Sequence, residues 1–450
     1  MGMMIYSDTM GNKAMRGGFT EHLHPRRNKT PPLTERLGWR TGVLTGLCGA
    51  YLSLFSMPGH SLELGGEEVD FEFALQGRYY PQDAAQGQAE ASGGVRTQAE
   101  YYTSFNDGQD QLQFTAWYLW DSEDDERTHG DIQELAWLHI ADSWELRSGV
   151  RKVFWGVTES QHLVDIVNQT DLAVNPDGEE KLGQPMINLS VVTDFGIWDV
   201  LVLLGHRERL YPGELGRFRP TLTVSSEAVY ESGDEEKRVD FAARWQKSVG
   251  DLEFAISHFS GTARDPVFKE INADDELVPF YAVLDQTGLE AQYIIDAWIL
   301  KLEAISSSSE GLRHTAATAG FEYTQVGIFS SAMDFGWISE FNFDDRGTEG
   351  PSPSEHDLML GGRLSFNDAA SSQIVGGLNY DIETEEKMFF LEASKRITDS
   401  LKINIDALVV AHSDEPPTVE DFKQGAISSD KKLSSVSRDD FIQVELVYYF

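Results

Sequence analysis

Hydrophobic and polar residues alternate with a period of two in many short stretches of this chain. In 401–409 every odd position is apolar, and the even positions include Lys402 and Asp406. Successive side chains of a β-strand point to opposite faces, so this period predicts a strand with one apolar and one polar face. The stretches 298–303 and 333–343 show the same alternation. Unpaired buried charges cost several kcal/mol each, so such a polar face suits a water-filled lumen and not a dry core.

The pattern predicts eighteen strands. They span 69–80, 93–105, 110–121, 131–141, 144–155, 184–194, 197–206, 237–248, 251–260, 288–295, 298–306, 312–325, 330–343, 357–367, 372–382, 386–396, 400–411 and 440–450. Residues 220–230 are compatible with a further hairpin arm, which leaves sixteen to twenty strands open.

The connections between these strands alternate between short and long. The short connections include 106–109 and 142–143, whereas 156–183 and 207–236 are long. Transmembrane barrels have short periplasmic turns at one end and long loops at the other. The sequence therefore predicts an all-β fold, a transmembrane antiparallel β-barrel of about eighteen strands with both termini on the short-turn side.

The C-terminal stretch has apolar residues at every second position, among them Val444, Leu446, Tyr448 and Phe450. It resembles the closing strand of bacterial outer-membrane barrels. The resemblance implies that these four residues form the signal read by the barrel-assembly machinery. The alternative is a soluble sandwich or barrel that ends on a strand.

The N-terminal region contains the single long apolar run, 41–57, which follows Arg36 and Arg40 and precedes Gly59 and Ser61. A basic start, an apolar middle and a small-residue exit predict a secretory signal. We therefore expect residues 1–61 to be an N-terminal extension with a signal peptide, and 62–450 to be the barrel. The alternative is a single anchoring helix.

Composition excludes several classes of protein. The chain has 36 Lys and Arg against 74 Asp and Glu, a net charge of −38, which argues against nucleic acid as a partner. Its one cysteine, Cys48, lies in the predicted leader, so 62–450 has no disulfide or thiolate metal site. The acidic clusters lack EF-hand spacing, and neither a metal site nor a cofactor is predicted. Ser160 and His162 are close in sequence, but spacing alone does not make a nucleophile and base. We therefore predict no enzymatic activity.

Residues 148–156 (Ser-Gly-Val-Arg-Lys-Val-Phe-Trp-Gly) resemble a strand of large porin-like barrels that ends in Trp-Gly before a long loop. Residues 159–171 resemble the ordered loop of uncharacterised proteobacterial relatives of the alginate-export and porin-type barrels. This resemblance implies an outer-membrane barrel with diffusion or export through it, and it names no substrate.

The loop 156–183 mixes apolar residues with Asp165, Asn168 and Asp171. So many apolar residues predict a packed loop, either folded into the lumen as a constriction or capping the barrel rim. Four arginines follow it in this acidic chain: Arg207, Arg209, Arg217 and Arg219. Facing the acids of the loop across a pore, they would set a transverse field that orients polar solutes. The alternative is that they pair with nearby carboxylates for structure.

The leading hypothesis is an outer-membrane channel for passive diffusion or export of small polar or oligomeric solutes. Its expected partners are outer-membrane lipid, lipopolysaccharide, the barrel-assembly machinery and the solutes. The alternatives are a structural or adhesin-type barrel blocked by its loops and, last, an outer-membrane hydrolase.

Overall fold

A computed structural model describes residues 62–64, 67–347, 350–424 and 430–450. The predicted extension and signal peptide, 1–61, lie outside these residues. The described chain forms a closed antiparallel barrel of eighteen strands. Strands β1 to β18 are, in chain order, Glu67–Tyr79, Ala91–Phe105, Asp110–Asp121, His129–Ile140, Trp144–Arg151, Gln184–Thr193, Gly196–Leu204, Val239–Val249, Leu252–Thr262, Val283–Ile295, Trp298–Ser309, Leu312–Gln325, Asp334–Asp344, His356–Ser365, Gln373–Asp381, Lys387–Thr398, Leu401–Ala411 and Phe441–Tyr449.

The barrel closes because its last strand pairs with its first. Each strand is antiparallel to the next in the chain, and β18 pairs with β1 in a register that sets Val444 opposite Gly77 and Leu446 opposite Leu75. Closure leaves no strand edge with unpaired backbone groups, which a sheet surrounded by lipid requires. The predicted fold class is confirmed, and each of the eighteen predicted strands overlaps one strand of the barrel.

Outward and inward side chains differ in polarity, as the alternation predicted. In β11, Trp298 and Leu300 are each 42% exposed on the outer face. Their neighbours Lys301 and Glu303 point into the lumen and are 8% and 0% exposed. Large apolar residues are exposed around the outer surface of other strands too, as at Trp337 of β13. An apolar patch of this extent on the outside of a barrel indicates contact with lipid.

Several strand boundaries differ from the prediction by a few residues; β10, for example, begins at Val283 and not at 288, and for two others the structure shows the cause. β5 ends at Arg151 and not at residue 155, because the N–H of Lys152 leaves the ladder and donates to Glu134 Oε1 (3.1 Å). β13 begins at Asp334 and not at 330, because Ile328–Ser330 form a short 3-10 turn. Apolar alternation continues past both boundaries, so the pattern alone did not mark them.

The possible additional hairpin arm at 220–230 does not join the barrel. Val229–Tyr230 is the one strand described there, and it pairs in parallel with Leu277–Tyr281, while Val224 adds a single parallel bridge to Leu277. The strand Leu277–Tyr281 is one arm of a hairpin whose other arm is Val267–Ile271. These three strands form a small separate sheet within the long connections.

The short turns lie at one end of the barrel and most of the long connections at the other. The turn after β2 passes through Asn106, Asp107 and Gly108, all with positive φ. These residue types accept the left-handed region at little cost, which lets the chain reverse within a few residues. The turn after β11 is an exception, because only Glu310 and Gly311 connect the strands at the long-loop end.

Three long connections, here called the mouth loops, meet over the long-loop end of the barrel: 205–238, 263–282 and 412–440, the last with 425–429 undescribed. Leu222, Phe268, Leu277 and Phe422 form a buried cluster contributed by all three. Phe422 lies on the short helix Val419–Gln424, and no helix in the described part of the chain is long and apolar enough to cross a membrane.

Candidate pore constriction

The connection 152–183, here called the luminal loop, crosses the interior of the barrel. It leaves the wall at the end of β5, and the N–H groups of Val157 and Thr158 donate to Glu303 Oε1 on β11 (2.7 and 3.0 Å). Its Glu159 pairs with Arg363 on β14 (3.2 Å). β5 and β14 are nine positions apart among eighteen strands, so the loop reaches the opposite wall.

Two buried carboxylates fix this crossing. Glu303 also accepts the Thr158 hydroxyl (2.6 Å), and Glu340 on β13 accepts the N–H groups of Glu159 and Ser160 (2.9 and 2.7 Å). Both acids are nearly inaccessible, at 0% and 1% exposed. Hydrogen bonds to a charged acceptor are the stronger kind, so these backbone donors compensate for the burial of the two charges.

An apolar patch on the lumen wall holds the middle of the loop. Val164 and Val167 are 1% and 0% exposed and pack in a cluster with Phe259 of β9 and Ile305 of β11. Strands β6 to β12 supply the other wall residues of this cluster. The apolar residues that predicted a packed loop therefore pack against the lumen wall and not across the barrel rim.

The three predicted site residues of the loop mainly stabilise the loop itself. Asn168 accepts the N–H of Val153 (2.8 Å), and Asp165 lies 3.5 Å from Lys181. Asp171 is 0% exposed and its Oδ1 accepts two N–H groups of the turn that follows it. The pore-lining role of these three residues remains a prediction.

Arg207 and Arg209 of the predicted arginine set have carboxylate partners. Arg207 Nη1 is 2.7 Å from Asp131 Oδ1 on β4, and Arg209 Nη2 is 2.6 Å from Asp265 Oδ1 in a mouth loop. The charge of Arg209 holds the pKa of Asp265 below its usual range, although burial opposes this. This pairing is the structural alternative given for the arginines.

Arg217 and Arg219 lie where the mouth loops contact each other. Arg217 Nε donates to Asp439 Oδ1 (2.6 Å) and connects 205–238 to the segment before β18. Arg219 Nη1 donates to the backbone carbonyls of Pro220 and Thr221 (3.0 and 2.9 Å). Neither arginine contacts Asp165 or Asp171 among the described residues. The effect of these arginines on ion selectivity remains a prediction.

The luminal loop leaves the part of the wall formed by β16 and β17 less covered. The loop bonds to Arg78 of β1 through Asn175 (3.2 Å) and to β11, β13 and β14, as described above. In β16 and β17, by contrast, residues of both faces are exposed or half-buried except at Val410. Since one face of each strand points inward, this accessibility shows lumen space beside β16 and β17.

Carboxylates border this space from both sides. Glu392 of β16 pairs in register with Asp406 of β17 on the inward face, and the loop contributes Asp177 and Glu179. Asp177 lies deep in the lumen, surrounded by protein, but water still reaches its side chain. This surrounding protein and the charges of Glu179 and Glu392 raise the pKa of Asp177 to about 6. Burial lowers the pKa of His162, but Glu179, 3.3 Å away, raises it overall.

These border residues were not among the predicted site residues. The alternation had placed Asp406 on the polar face of its strand, but alternation does not indicate which part of the wall a loop will leave open. Asp177 and Glu179 lie in the predicted long loop, where an acidic residue is most simply a solvated one.

Three of the four predicted assembly residues lie on the closing strand, and the fourth directly follows it. Val444, Leu446 and Tyr448 pair with β1, and Val444 is 40% exposed on the outer face. Phe450 follows Tyr449, the last residue of β18. Recognition by an assembly machinery remains a prediction.

Solved structures with a similar arrangement include a chain described as "Asymmetric conductivity of engineered proteins" and two mutants of Rh. blastica porin. All three have a TM-score of 0.40 and 9–10% sequence identity, and the match covers 85% of this chain and 100% of theirs. No protein-family model and no curated protein matches the chain.

Proposed function

We propose that this barrel is an outer-membrane channel through which small polar solutes diffuse, with a preference for cations. The observation that carries the proposal is the unequal cover of the lumen wall. The luminal loop is bonded to Glu303 and Glu340 on one side, while the inward residues of β16 and β17 remain accessible on the other. Barrels of this strand number have room for an aqueous channel.

The sign of the selectivity follows from the border of the proposed path. Asp177, Glu179, Glu392 and Asp406 supply four carboxylates, and Arg396 and Lys402, paired in register farther along the same inward face, supply two cations, so this border is acidic overall. The four arginines of the predicted set are engaged with protein partners. Charged side chains lining a pore bias the permeant ion toward the opposite charge. The lipid-facing surface is apolar, as an outer-membrane location requires.

Single-channel recording in planar bilayers tests the proposal. Wild-type protein should conduct with a reversal potential that favours cations, and deleting 160–175 should raise conductance, because this removes the segment that crosses the lumen. The selectivity should weaken in 1 M salt, where screening shortens to about 3 Å. A wild-type barrel that does not conduct would contradict the proposal.

The arginine set is tested separately by replacing all four residues with serine. Selectivity should shift further toward cations, because the substitutions remove four positive charges from an interior that is otherwise acidic. An unchanged reversal potential would mean that these arginines act only as structural partners of Asp131, Asp265 and Asp439.

A loop-blocked barrel is the second candidate function, and the mouth loops favour it. Lys423 pairs with Asp275 (2.8 Å) between loops that start from β17 and β9, on opposite sides of the barrel. If this contact and the cluster around Phe422 seal the mouth, wild-type protein should be silent. A variant lacking the hairpin 267–281 should then conduct.

A further inference from the structure

Three acidic residues converge where β14 begins and β15 ends, near the mouth of the barrel. Asp357 of β14 is paired in register with Asp381 of β15, and Glu355 immediately precedes β14. One carboxylate oxygen from each residue lies within 4.8 Å of those from the other two. All three residues are buried, with exposures of 2–4%.

A buried carboxylate oxygen in this cluster has no protein partner. Asp357 is 3% exposed, and its Oδ2 has no hydrogen bond to any residue that the structure describes. Asn379, two residues before Asp381 on the same inward face, is 8% exposed and its Oδ1 is likewise unpartnered among described residues. Buried polar atoms are nearly always satisfied, so two unpartnered oxygens at one place indicate a missing donor or ion.

The nearby cation balances only part of the charge. Lys432 Nζ is 2.6 Å from Glu355 Oε2, and it also donates to the carbonyls of Gly347 and Ser352 (2.9 and 2.7 Å). Glu386, 3% exposed, adds a fourth buried acid beside this group, where its carboxylate accepts the N–H of Leu433. One ammonium therefore faces four buried carboxyl groups, an arrangement that is costly without a further cation.

The donor set selects a type of ion. Every candidate ligand is a carboxylate or amide oxygen, which suits Ca²⁺ or Mg²⁺ and not the transition metals that prefer nitrogen or sulfur. The three carboxylate oxygens lie within 4.8 Å of one another, close enough for one divalent ion to contact all of them. A group of three carboxylates from the protein suits Ca²⁺, which takes about six to eight oxygen ligands, better than Mg²⁺, which keeps several waters and usually binds through one or two carboxylates.

We propose that Glu355, Asp357 and Asp381 bind one divalent cation, with Ca²⁺ favoured over Mg²⁺. The ion would join β14 and β15 to the connection before β14. Glu355 and Glu386 contact Lys432 and Leu433, so binding would also order the part of the mouth loop around them. The site does not depend on whether the barrel conducts.

The test is titration of CaCl₂ into the detergent-folded, lipopolysaccharide-free barrel, followed by calorimetry and thermal unfolding. Wild-type protein should show one site at least ten-fold tighter than the weak binding expected of its acidic surface, and MgCl₂ should bind it less well. Asp357→Asn and Asp381→Asn should each remove that site. Asp274→Asn, at an exposed acid in a mouth loop, is the matched control and should leave it unchanged.

Thermal unfolding measured in the presence of a chelator distinguishes a residue that binds the metal from one that only stabilises the fold. Without Ca²⁺, Asp357→Asn should be at least as stable as wild type, because it has one fewer buried charge; with Ca²⁺ the order should reverse. Asp381→Asn keeps the oxygen that accepts the N–H groups of Glu383 and Thr384, so it preserves the turn if the first variant fails to fold. Equal Ca²⁺ binding by wild type and both variants would overturn the proposal, as would a wild type with no site tighter than its surface binding.

Discussion

Replacing Glu303 with alanine should release the luminal loop from β11. Glu303 Oε1 accepts the N–H of Val157, the N–H of Thr158 and the hydroxyl of Thr158 at 2.7, 3.0 and 2.6 Å. Hydrogen bonds to a charged group contribute about 1.5–3 kcal/mol each. Lumen water would rehydrate the freed donors, and Glu340 would still hold the next two residues, so we expect a net loss of about 2–4 kcal/mol in docking.

A loss of this size changes the ratio of docked to undocked loop by roughly 30- to 700-fold, since 1.4 kcal/mol corresponds to a factor of ten. Single-channel recordings of Glu303→Ala should therefore show a second, higher conductance level that wild type rarely visits. Limited proteolysis should cut within 157–166 faster in the variant. Glu303→Gln keeps one oxygen acceptor and should be intermediate.

Glu322→Ala is the matched control. Glu322 lies on the inward face of the neighbouring strand β12, 3.7 Å from Lys301, so its removal takes a similar charge from the same wall. If Glu303→Ala and Glu322→Ala channels have the same conductance levels and cleavage rates, the hydrogen bonds to Glu303 do not hold the loop and the reasoning is refuted.

Two further predictions concern the proposed path and assembly. Lowering the pH from about 7 to about 5 should reduce cation selectivity, because Asp177, with a pKa of about 6, loses its negative charge on protonation. His162, whose pKa is raised beside Glu179, gains a positive charge over the same range, so Asp177→Asn should reduce this pH step and leave the part due to His162; a wild-type reversal potential independent of pH would contradict the assignment. Deleting Phe450 should lower outer-membrane insertion while the purified barrel keeps its melting temperature, because the last paired residue, Tyr449, is retained; unchanged surface levels would indicate an ordinary strand end.

The candidate constriction was only partly predictable. The apolar content of 156–183 indicated a packed loop, and Asp165 and Asp171, whose pore-lining role remains a prediction, also hold an ion pair and a turn of that loop. Its anchors, Glu303 and Glu340, lie 139–181 residues away from their partners along the chain. No local pattern marks such contacts, because they depend on where an inward side chain meets a loop from the far wall.

The cation site was missed for a similar reason. Asp357 and Asp381 are 24 residues apart in different predicted strands, and only the register between β14 and β15 sets them opposite each other. A shift of one residue would have turned one of them toward the lipid. The search for metal-binding motifs in the sequence relied on local spacing and could not find ligands that strand pairing brings together.

The sequence by itself determined the architecture of this protein. Lipid on one side of the wall and water on the other impose a period of two on each strand, and that period, with the rhythm of short and long connections, was enough to predict about eighteen strands within a range of sixteen to twenty. The path of the luminal loop, the partners of the four arginines and the meeting of Asp357 with Asp381 were decided by the tertiary structure. Closure of the barrel fixes which distant inward residues share a depth, and that relation is not encoded in any local stretch of the chain.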